Sequence, residues 1–133
     1  MAYYSGFGLD LPFSASGDLN SYQYCFVKCA STSMRVDVAT GACNPVAIGV
    51  LQNDPMSEQE AAVRVAGITK VYCDAGAAIT YGQLLSSASN GKAHSAATTG
   101  CHIMGFALEA DSSGCGCISM LLWPVSTILV GTK

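Results

Sequence analysis

Charged side chains are scarce in this chain: 11% of its 133 residues are Asp, Glu, Lys or Arg, where a soluble domain commonly carries about 25%. A surface this poor in charge has to be finished with Ser, Thr, Asn, Gln and Gly or covered by a partner, and the deficit points to assembly. The 6 Lys and Arg are scattered and the net charge is −3, which argues against a nucleic-acid partner, because such binders carry a clustered basic stripe. No apolar run approaches the roughly 20 residues that span a bilayer, and no basic segment followed by an apolar core stands at the N-terminus. Neither a membrane nor a secretion address is expected. Amphipathic helices of ordinary length are missing too, so nothing is available to cover a parallel sheet. G-x-S-x-G, H-E-x-x-H and a Gly-rich loop leading into a helix are all absent, which leaves no recognisable nucleophile, zinc-protease or phosphate motif.

What the chain does contain is a string of short strand signals. Gly49-Val50-Leu51-Gln52-Asn53-Asp54-Pro55 runs from apolar residues into a breaker, because Pro55 has no N–H and restricts Asp54 to extended conformations. Beyond it Val63, Val65, Gly67 and Thr69 alternate with Arg64, Ala66, Ile68 and Lys70. That period of two predicts a long strand over 63–74, bent at Gly67, with one wet face and one dry face. Segments 22–29, 34–38, 45–52, 83–87, 102–110 and 116–123 read as further strands, with Gly49 marking a bulge or a close backbone approach. Asn90-Gly91 signals a hairpin, while 93–100 reads as loop and Pro124 as the stop of the last ladder. Ser57 and Glu60 resemble a capping box, but six residues cannot sustain a helix, so 57–62 reads as an elaborated loop.

Many short strands with Gly-rich turns predict an all-β fold, a single compact β-barrel or sandwich-like domain. Residues 1–20 read as an extended N-terminal arm, 21–124 as the β-barrel-like domain and 125–133 as a C-terminal tail. The arm's Tyr3, Tyr4, Phe7, Leu9, Leu11 and Phe13 are too apolar for a disordered tail. Something is expected to bury them: the chain's own core, a sister subunit or a larger surface.

Chemistry is harder to assemble. The 7 cysteines are odd in number, and Cys25, Cys73 and Cys117 lie inside strand-like runs, where a thiol acts as a small buried hydrophobe. Cys25-x-x-x-Cys29 has the spacing of a zinc knuckle, but Cys101-His102 and Cys115-x-Cys117 do not complete it. His94 and His102 fall in no recognisable nucleophile motif, and Asp54, Glu58 and Glu60 read as a solvated acidic loop rather than an acid–base pair. No catalytic residue, cofactor or metal is expected. Tyr22, Tyr24 and Phe26 share one face if their segment is a strand, and with Trp123 they are stacking candidates for a sugar-binding or host-adhesive module displayed on a virion.

The pieces 49–55, 62–70, 79–85, 89–93, 105–110 and 120–122, in that order, resemble the small capsid-decoration (head-stabilising, or cement) proteins of tailed bacteriophages. The resemblance covers rather more than half the chain. It implies a compact β-barrel-like domain without enzymatic activity, bound to the outside of an icosahedral capsid through the major capsid protein, often as a homotrimer. It also implies a virion protein made in the host bacterial cytoplasm. The 7 cysteines and the long apolar arm before Tyr22 depart from that pattern.

Overall fold

The structure, a computed structural model, describes residues 8–41, 47–74, 78–96, 102–112 and 116–128. Its strands are β1 (Gly8–Ala15), β2 (Phe26–Cys29), β3 (Arg35–Val38), β4 (Ala47–Leu51), β5 (Glu60–Tyr72), β6 (Leu84–Ser87), β7 (Ala93–Ser95), β8 (His102–Ala107) and β9 (Cys117–Ile128), with no helix among the described residues. The fold is all-β, as the strand signals predict. The order β1-β3-β2-β4-β5 closes on itself because β1 also pairs with β5, giving a small barrel, and the sheet continues from β5 through β9, β8 and β6 to β7.

β5 belongs to both halves. Its first half pairs with β1 from Ser14↔Glu60 to Gly8↔Gly67, and its second half pairs with β9 from Gly67↔Leu122 to Tyr72↔Cys117. Gly67, where the sequence places a bend, lies at the junction with φ 105°, a conformation in which a Cβ would be strained.

Two apolar clusters fill the molecule. Ala15, Leu19, Val27, Val36, Leu51, Ala61 and Val63 form the smaller, with Phe13, Tyr22, Ile48 and Val65 against it. The larger takes Phe26 and Val50 from the barrel strands and Val71, Leu85, Ala107, Ile118, Met120 and Leu122 from the sheet. Neighbours Phe26 and Val27 therefore enter different clusters, as do Val50 and Leu51, and β2 and β4 are buried on both faces. That double burial explains why 47–51 reads as a continuous apolar run rather than an alternating one.

Three expectations change. Residues 8–15, inside the stretch read as an extended arm, form β1, because the backbones of β5 and β3 supply its partners. Residues 93–95, read as loop, form β7 against β6. The last ladder does not stop at Pro124: Ile103 pairs with Thr127 and His102 with Ile128 after a register shift. The irregularity absorbs the proline, which cannot donate to a ladder.

Candidate functional site

The apolar residues of the N-terminal stretch divide at β1. Tyr3, Tyr4 and Phe7 lie outside the described residues. Phe13 packs on the smaller cluster, whereas Leu9 and Leu11 keep 56% and 39% of their surface exposed. The backbone that carries them is held firmly. Arg64, itself buried on β5, donates from Nε to Asp10 Oδ1 at 2.6 Å, from Nη2 to Asp10 Oδ2 at 3.1 Å and from Nη1 to the Ile68 carbonyl at 2.9 Å. One guanidinium thus clasps the start of β1 and reaches past Gly67 to the Ile68 carbonyl. A planar, always-charged fork suits this double role better than an ammonium would. At the other end, Ser14 N–H donates to Met34 O, Ala15 N–H to Gln59 O and Glu58 N–H to Ala15 O. The bidentate pair of Arg35 with Glu58, 2.5 and 2.7 Å, ties the two flanking turns together.

The remaining candidates do not converge. Cys25 is buried and Cys29 exposed; four residues apart on extended chain they are separated by about 13 Å, too far for one ion. Cys43, Cys101 and Cys115 lie outside the described residues. Among the described residues no three His, Cys, Asp or Glu side chains gather as a metal site would require. Burial pushes the Cys25 thiol up to about 11, with Lys92 opposing and Cys117 reinforcing the shift, and burial also raises Cys117. Cys25 and Cys73 are core residues, as their strand-like surroundings suggest. His94 Nδ1 lies 2.8 Å from the Ser95 carbonyl.

Of the acidic loop, Glu58 is spent on Arg35, and the loop is pinned by amides instead. Asn53 reaches Glu60 O and accepts from Ala62 N–H, and Gln59 Oε1 accepts from Met56 N–H. The Ser57–Glu60 capping box does not form, because the chain turns at 56–59 and enters β5 at Glu60. The aromatic stripe is not a platform either. Strand β2 begins only at Phe26, Tyr24 has φ 65°, Phe26 is core and Tyr22 packs on the smaller cluster. The Tyr24 ring instead lies under Lys70 Nζ, 5.5 Å from its centroid.

The sequence comparison decides what kind of protein this is. Residues 5–122 match the phage cement protein family. The chain belongs to that family. Cement proteins are parts of the virion, so this member is a capsid-associated structural protein. Its fold is similar to a solved structure described as the head fiber gp8.5 N base of bacteriophage phi29, with TM-score 0.64 and 14% identity, covering 90% of this chain and 97% of that one. Identity that low speaks for the fold alone. No curated protein sequence matches the chain. Among the described residues several large apolar side chains are exposed, and strand-by-strand reading passes over them. Met34 at 65%, Met56 at 52%, Tyr81 at 77%, Phe106 at 38% and Leu108 at 43% exposure look like ordinary strand or turn residues until the tertiary structure leaves them uncovered.

Proposed function

We propose that this cement protein binds the outer surface of an icosahedral phage head through the major capsid protein, stabilises the shell without catalysing a reaction, and works as a homo-oligomer, most simply a trimer. Tyr3, Tyr4, Phe7, Leu9, Leu11 and Phe13 form its grip, with Phe13 anchored in the barrel. It is made in the host bacterial cytoplasm and resides on the virion exterior, with neither nucleic acid nor membrane as partner. The observation that carries this reading is the exposure of Leu9 and Leu11 on a strand whose backbone is locked by Arg64 and by β5. A fixed strand loses little conformational freedom on docking, so apolar area buried at about 25 cal/mol per Å² is retained as affinity. Preferential binding to the assembled shell then stabilises it by mass action, multiplied over many copies.

Undecorated heads of the protein's own phage provide the test. A variant lacking residues 1–7 and carrying Leu9→Ser and Leu11→Ser should lose about tenfold or more in head occupancy while remaining folded. Undiminished occupancy would sink the grip. Light scattering on the free protein should give three times the chain mass, and a monomer would refute the trimer.

A further inference from the structure

Cross-strand register lines up one further set of side chains. Ile68 on β5 is opposite Leu121 on β9, Leu121 is opposite Phe106 on β8, and Phe106 is opposite Leu84 on β6. Directly opposed residues share a face of a sheet, so these four form a continuous apolar row across four strands. The row lies on the face away from the core: the next register, Thr69, Met120 and Ala107, is buried. Phe106 is 38% exposed, and Ile68, Leu121 and Leu84 are part-buried. Leu108, just beyond β8, is exposed at 43%. Nothing charged interrupts the row.

We propose that this sheet face is a second docking surface for the phage capsid protein, contiguous with the N-terminal grip. Two observations select that occupant over a second copy of the chain. The first is area. Strands about 4.8 Å apart give a row about 15 Å long, and one or two residues of depth make a patch on the order of 150–300 Å². A stable free dimer needs roughly 800 Å² per partner, so the row alone does not hold two copies together in solution, but it adds usefully to a contact made elsewhere on the same partner. The second is position. β1 begins at Gly8, which pairs with Gly67, the chain neighbour of Ile68. Exposed Leu9 on β1 is opposite Ala66, two residues before Ile68 on β5, so a single partner surface meets both.

This inference rests on the capsid-binding reading, and the experiment separates the two. Full-length protein, Phe106→Glu and Phe106→Thr are titrated onto undecorated heads, with solution mass and thermal unfolding recorded for each. Phe106→Thr preserves strand propensity and remains informative if the charge prevents folding. Supporting results are a loss of head affinity of about tenfold for Phe106→Glu, a smaller loss for Phe106→Thr, and an unchanged solution mass. Wild-type affinity in folded Phe106 variants would overturn the second surface while leaving the N-terminal grip standing. A fall in solution mass would assign the face to a second copy and overturn the proposal. Failure of the wild-type protein to bind heads would overturn both readings together.

Discussion

Gly49 and Gly17 are the same residue under opposite demands. A Cβ at Gly49 would collide with the Arg64 carbonyl and the Val63 side chain, while one at Gly17 meets nothing within 4 Å. Gly49→Ala is expected to cost about 2–4 kcal/mol and Gly17→Ala less than about 0.5 kcal/mol, read from urea midpoints at constant slope. The close approach at Gly49 was legible, because a glycine inside an apolar strand run signals it. Arg64 was not. Periodicity assigns it to a wet face, yet it is buried on Asp10 and the Ile68 carbonyl. Asp10→Ala should destabilise by about 1–3 kcal/mol, less than for a fully buried pair because the Asp10 side chain is 39% exposed. Cys25 gives a pH signature. Its thiol is raised from 9.0 to about 11, so the folded state holds the proton more tightly than the unfolded state. That contribution to stability is complete below pH 9 and declines as the pH rises through about 11. Unfolding followed across that range should show the decline, and Cys25→Ala should reduce it to the part that the raised Cys117 thiol contributes; a thiol reagent at neutral pH should modify exposed Cys29 before Cys25.

At the level of elements, β1 and β5 decide how the N-terminal stretch can be cut. β1 contributes Ala15 to the smaller cluster and seven register pairs to β5, and Leu19 follows it into the core. Removing residues 1–7 should leave a cooperative unfolding transition, whereas removing 1–20 opens the barrel and should abolish it by circular dichroism. The signal for β1 was present: Leu9, Leu11, Phe13 and Ala15 alternate with Asp10, Pro12 and Ser14. Gly8 and Pro12 disguised it, since proline is a strand breaker only where its N–H is needed by a neighbour. The Asn90-Gly91 turn and the special backbone at Gly67 were plain because positive φ is a local demand; Gly91 has φ 82° and Gly67 φ 105°. Tyr24, Met34 and Glu58 also adopt positive φ, at 65°, 58° and 72°, and no local rule announces a non-glycine residue there. Tyr24 is held by its N–H to Leu51 O and its O from Tyr72 N–H, partners distant in sequence.

For the whole molecule, weak charge and apolar contacts predict a head affinity that changes less than about threefold between roughly 0.05 and 0.5 M salt, where an ion-pair interface would weaken steeply. Titration onto heads at the two ionic strengths checks this. The succession of short runs by itself determined the all-β class, because glycine-punctuated runs of β-branched and aromatic residues leave no helical face to pack. The order of short pieces determined the family, because turn residues and strand runs occur at positions the whole fold requires. Only the tertiary structure decided which side chains were left for a partner. Ile68, Leu121, Phe106 and Leu84 lie on four strands drawn from distant parts of the chain, and a surface row is a property of register. Register is set by which backbones pair and where they bulge, and no single strand carries that information.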